Sequence, residues 1–158
     1  MHRVDQEGPT KTPLEELVAF EVATRDLVGV ALRSVEQAGV SLRQFRLLLV
    51  LQQSGPLTST ACANALGVAG SSVTRLADRL NTTGHLTRGS DPRNRSVVTL
   101  ELTAQGRKLV RQVTARRRRE LSHVLNRIDP AERANCAAVL RSLHERFSDD
   151  DQHNAIPL

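Results

Sequence analysis

Apolar residues recur along most of this chain at helical spacing, and the one interruption falls between residues 84 and 102. From Leu14 to Gln37 the pattern runs through Leu14, Leu17, Val18, Val28, Ala31, Leu32 and Val35, with Phe20, Val22, Ala23, Leu27 and Val30 widening the face. A helix apolar on several sides needs more than one neighbour. A chain of this size supplies too few, so a second subunit is implied; burial wholly within its own domain is the alternative. Gly39 breaks the pattern, after which Ser41 and Gln44 form a capping box for a second helix with core positions Leu42, Phe45, Leu48, Leu49 and Leu51. A turn at 52–56 leads to a short helix capped by Thr58 and reaching Leu66.

The next stretch is the most informative. Val73, Leu76, Ala77 and Leu80 make one stripe, leaving Ser71, Ser72, Thr74, Arg75, Asp78 and Arg79 on the other face. This spacing predicts a helix over 69–83, ended by Gly84, a residue suited to the left-handed conformation. A short strand at 86–88, a turn-forming basic loop at 89–95 (GSDPRNR) and a β-branched strand at 96–100 follow. A helix with a hydroxyl-and-arginine face, then two strands joined by a basic loop, is a winged helix-turn-helix in a mainly α fold with a small β-wing. DNA binding is the function this implies. The short helix before it supports the recognition helix and touches the DNA backbone.

Thr103 caps a long helix, with Gln105 near its start and Gly106 in its first turn. Leu109, Val110, Val113, Leu121, Val124, Leu125 and Ile128 are its apolar positions. The four arginines at 116–119 sweep around it and read as a solvated run whose stems cover apolar surface, with a direct DNA role as the alternative. Asp129 as N-cap, Pro130 and Glu132 begin a last helix with Ala134, Ala137, Ala138, Leu140, Leu143 and Phe147 on its apolar side. Residues 1–12 are expected to fray, and the acidic tail 148–158 to be disordered.

Composition sharpens the DNA reading. With 158 residues the chain is sized for one domain. Three Phe and no Trp or Tyr leave little for base stacking, which favours duplex DNA over RNA or single strands. The net charge of +5 is concentrated: residues 67–95 hold Arg75, Arg79, Arg88, Arg93 and Arg95 against Asp78 and Asp91. No apolar run approaches the ~18 to 20 residues needed to span a bilayer, and the N-terminus has no signal core, which predicts a cytoplasmic protein without a membrane partner. Cys62 and Cys136 stand in no metal or redox spacing and are expected to be small buried apolar residues. The five histidines are scattered and no hydrolase, zinc or phosphate-loop motif is present. Neither a catalytic site, a metal site nor a cofactor is therefore expected, and the chain reads as no enzyme. The rival from another class is a winged-helix protein-interaction or dimerisation module without DNA, which need not keep an exposed Ser-Ser-x-Thr-Arg face or a basic wing.

The segments SLRQFRLLLVL at 41–51, GPLT at 55–58 with ALGVAGSSVTRLADRL at 65–80, DPRNR at 91–95 and LELTAQGRKLV at 100–110 together resemble the MarR family of bacterial winged-helix regulators. The resemblance implies a single MarR-like domain over 1–158, with a winged DNA-binding part at 41–102 and a homodimer formed by helices at 14–37 and 103–147. It also implies a regulator, usually a repressor of its own or a neighbouring gene, relieved by a small phenolic or amphipathic effector bound between the dimerisation and DNA-binding parts. Val18, Val22, Phe45, Leu49 and Val113 are candidates to line that cleft and equally ordinary core; no residue is assigned to a ligand. Two departures stand out: Asn94 and Ser96 occupy places where family wings often carry an Asp and an Arg, and Ala61 and Cys62 replace the usual acidic residue and leucine.

In a symmetric dimer two recognition helices enter successive major grooves roughly 34 Å apart, which predicts a near-palindromic operator in double-stranded DNA. The candidate DNA-binding residues are Ser71, Ser72, Thr74 and Arg75, with Arg75 placed for a bidentate guanine contact, and Arg79 placed for a phosphate. Asp78 is expected to orient an arginine. Helix-start capping is the competing reading for the hydroxyls. In the wing, Asp91 and Pro92 set the turn, and Arg93 or Arg95 enters the minor groove or makes a looser phosphate contact.

Overall fold

A computed structural model describes residues 11–153, and side chains through Asp149. The expected fraying at 1–12 lies outside the described residues for 1–10. The element order is α1 (Leu14–Glu36), α2 (Leu42–Ser54), β1 (Leu57–Thr58), α3 (Ser59–Leu66), α4 (Gly70–Thr82), β2 (Leu86–Ser90), β3 (Val98–Leu102), α5 (Ala104–Leu125) and α6 (Pro130–His153). This is the mainly helical fold with a small wing that the apolar pattern predicts.

The chain forms two compact units, Met1–Arg117 and Arg118–Leu158, divided within α5. The first holds the core. Val35 of α1, Phe45, Leu47, Leu48 and Leu51 of α2, Cys62, Ala63 and Leu66 of α3, and Val73, Ala77 and Leu80 of α4 close on Leu86, Leu100, Leu109, Val110 and Val113. Local signals start the helices as the sequence predicts. The Ser41 Oγ accepts from the Gln44 N–H while the Gln44 side chain accepts from the Ser41 N–H, and Thr58 Oγ1 accepts from the Ala61 N–H. Gly84, at φ 75°, closes the turn after α4.

The sheet departs from expectation in three ways. It has three strands in the order β1-β3-β2, both pairings antiparallel, because Leu57 and Thr58 pair with Leu100 and Thr99. A two-residue strand carries no periodicity to be read. β2 extends through Gly89 and Ser90, and β3 begins at Val98, two residues later than the β-branched run suggests, because Ser90 pairs with Val98. The wing loop is therefore 91–97. Gly89 lies under the Glu101 carboxylate, so a side chain placed there would displace the end of Glu101.

Arg117 departs from a solvated run. It is half-buried, donates from Nε and Nη2 to Ser34 Oγ at 3.3 and 3.2 Å, and stacks over Phe45 with 5.3 Å to the ring centroid. Ser34, fully buried, donates in turn to the Ala31 carbonyl. One side chain thus ties α1, α2 and α5.

The second unit contains the end of α5 and α6. Asp129 Oδ1 accepts from the Ala131 and Glu132 N–H groups, the cap the sequence predicts. α6 continues through His153, beyond the expected end at Phe147, so residues 148–153 are helical and not a disordered tail; 154–158 lie outside the described residues. No helix breaker occurs in 148–153, the first being Pro157, and Ser148 returns its hydroxyl to the His144 carbonyl. Among the described residues no helix is long and apolar enough to cross a membrane.

Candidate nucleic-acid interface

The face predicted for DNA is the exposed side of α4. Val73, Ala77 and Leu80 are buried, which turns Ser71, Thr74, Arg75, Asp78 and Arg79 to solvent, with Ser72 half-buried. The competing capping reading of Ser71 is not realised: Ala69 occupies the N-cap and contributes no side-chain bond. Thr74 is different, since its hydroxyl donates to the Gly70 carbonyl at 3.1 Å. With that hydrogen directed to its own helix, Thr74 presents an acceptor oxygen and a methyl group to solvent.

Asp78 holds an arginine, as its chemistry predicts. The partner is Arg88 of β2, so an ion pair links the middle of α4 to the base of the wing. Both side chains are about half exposed, so the pair adds little stability, at most ~1 kcal/mol. Its effect is on charge: Arg88 is neutralised locally. Among the described residues no carboxylate pairs with Arg75 or Arg79.

The wing loop is pinned by its own side chains. Asp91 Oδ1 accepts from the Arg93 N–H at 2.7 Å, and Asn94 Oδ1 from the Ser96 N–H at 3.1 Å. Backbone bonds from Asn94 N–H to the Asp91 carbonyl, and from Asp91 N–H to the Val97 carbonyl, close the loop. Arg93 and Arg95 are both exposed on it.

The C-terminal end of α4 is fastened to the start of α5. Thr103 Oγ1 donates to the Gly84 carbonyl at 2.6 Å and accepts from the Gly106 N–H, while the Thr103 N–H donates to the His85 carbonyl. Gly106 is buried so close to the connection between α4 and β2 that a Cβ would lie 2.0 Å from the His85 carbonyl oxygen. Gly106 is more than tolerated in the first turn; its place admits no side chain.

Ser72, Arg75 and Arg79 line a cleft of about 460 Å³ together with Leu76, Asp78 and a residue the sequence pattern leaves unassigned, Arg43 of α2. An adjoining cleft of about 340 Å³ adds Arg46 beside Leu66, Gly67 and Val68. Arg43 and Arg46 are exposed, three residues apart on the polar side of α2. That spacing is visible in the sequence; that α2 lies beside α4 is not. The wing arginines do not line these clefts.

Other expectations resolve residue by residue. Phe45 and Val113 are core, Leu49 packs against it, and Val18 and Val22 stand exposed on α1, so the five cleft candidates do not line one cavity. Cys62 is fully buried, and burial pushes its thiol up from the ordinary 9.0, keeping it neutral and inert. Cys136 corrects the expectation: it is exposed on α6, where helical spacing alone does not say which face is covered.

The comparisons agree with this geometry. A sequence model described as MarR family matches residues 38–95. The transcriptional repressor MdtR of Bacillus subtilis is 28% identical over 123 residues, 78% of this chain and 79% of that protein. The crystal structure of RV1404 from Mycobacterium tuberculosis is 31% identical with a TM-score of 0.78, covering 87% of this chain and 97% of that one. A MarR family protein from Bacillus stearothermophilus is 27% identical with a TM-score of 0.75, over 85% and 93%. Fold, sequence match and the exposed hydroxyl-and-arginine helix converge: the chain belongs to the MarR family of winged helix-turn-helix DNA-binding transcriptional regulators.

Proposed function

We propose that this DNA-binding regulator represses its own or a neighbouring gene as a homodimer on a near-palindromic duplex operator, and that a small molecule relieves it. The observation that carries the reading is the outer face of α4, where Arg75 and Arg79 stand exposed beside Ser71 and Ser72. A protein-interaction module has no need of such a face. The similarity to the repressor MdtR supports repression over activation. The homodimer is supported by the exposed apolar residues of α1, among them Leu14, Leu17, Phe20 and Leu27.

In this reading α4 lies in the major groove, with Arg75 reading a base edge and Arg79 on a phosphate, and Arg93 and Arg95 of the wing reach the neighbouring minor groove or its phosphates. Arg75→Ala is expected to weaken the cognate site by about 1 to 3 kcal/mol and flatten the base preference at one position of each half-site. Replacing Arg93 or Arg95 is expected to weaken all sequences alike. Footprinting on the DNA upstream of the gene, followed by binding of each variant to single-base operator variants, tests this. A uniform loss for Arg75→Ala with altered base preference in a wing variant would reverse the two roles.

A further inference from the structure

Arg43 and Arg46 lie on α2, outside the helix-turn-helix pair and the wing, yet the fold sets both against the exposed side of α4. Arg43 shares a cleft with Ser72, Arg75, Asp78 and Arg79, and Arg46 shares the adjoining one with Ser72, Leu76 and the α3–α4 turn at Gly67 and Val68. The one carboxylate lining these clefts, Asp78, is already paired with Arg88. Among the described residues neither Arg43 nor Arg46 has an acidic partner. Four arginines therefore surround a continuous concave strip with no free negative charge to balance them.

We infer that Arg43 and Arg46 are phosphate-binding residues that hold the DNA backbone along the edge of the groove occupied by α4, a role that rests on the DNA reading above. The geometry selects phosphate over base. A helix with its side chains is about 10–12 Å across and the major groove about 12 Å wide, so α4 fills the groove it enters. Groups on the flanking helix then meet the groove wall, which is lined with phosphate oxygens. A guanidinium matches such an oxygen pair with two parallel N–H donors. Because this term is sequence-independent, it adds affinity and salt dependence without changing base preference.

The test is the salt dependence of binding of the full chain to a labelled mixed-sequence duplex about three helical turns long, for wild type, the pair Arg43→Gln/Arg46→Gln and the pair Arg43→Lys/Arg46→Lys. Each lost contact should reduce the slope of log K against log salt by about 0.9, roughly 3 to 4 for a dimer losing four. Lysine should restore most of the slope. Both side chains are exposed, so unfolding curves should overlay and separate charge from folding. A glutamine pair with the wild-type slope overturns the inference while leaving the DNA reading intact, as does a lysine pair that loses as much slope as the glutamine pair. A wild type with no duplex affinity overturns both.

Discussion

Phe45 and Phe147 are the same residue type in opposite circumstances, 1% and 62% exposed, and the contrast extends to the units that hold them. In the first unit, between Val35 and Val113, buried apolar residues of seven elements close on one another. In the second, Val124, Ile128, Val139, Leu140 and Phe147 all remain exposed, and none of its described residues is fully buried. α1 resembles the second unit along most of its length and the first only at its end, where Ser34 and Val35 are buried. The winged-helix part completes its own core, whereas the flanking helices leave apolar faces uncovered, the faces that the proposed homodimer would bury.

The comparison is broken or sharpened most strongly by truncating one apolar residue in each region. Leu48→Ala, at a fully buried site, should cost about 2 to 5 kcal/mol and lower the thermal midpoint of the whole winged-helix part. Phe147→Ser should leave that transition nearly unmoved and shift sedimentation toward monomer. Should it melt the winged-helix part as Leu48→Ala does, the two regions are not independent. The next effect in size is Gly106→Ala, where the new methyl meets backbone that cannot swing aside; a loss of about 1 to 3 kcal/mol in denaturant unfolding is expected. Smallest are the caps: Ser41→Ala and Asp129→Ala should each lose about 1 kcal/mol, read at the first transition for Ser41 and in helix content of α6 for Asp129.

What the sequence discloses follows the same division. Caps, the α4 stripe and the Gly84 turn are set by residues within a few positions of one another, so the roles of Ser41, Thr58, Asp129, Val73 and Leu80 are legible in the order of residues alone. β1 and the start of β3 depend on which strand lies alongside, and a run such as Ser96 to Thr99 cannot reveal that Val98 pairs with Ser90. The interface divides likewise: Arg75 and Arg79 are found from the face opposite their own stripe. Arg43 and Arg46 escape because charge along the chain says nothing about which helices become neighbours. Arg117 escapes because its partners, Ser34 and Phe45, are 83 and 72 positions away.

The seam between His85 and Gly106 also acts mechanically. Where most contacts onto a helix pass through side chains that can change rotamer, here a carbonyl of the α4–β2 connection sits directly against an α-carbon of α5, with Thr103 bolting the adjacent turn to Gly84. Such a joint has almost no backlash. A rotation of the first turn of α5 that kept these contacts would carry the turn after α4 with it, so the two cannot part here without breaking the Thr103 bonds.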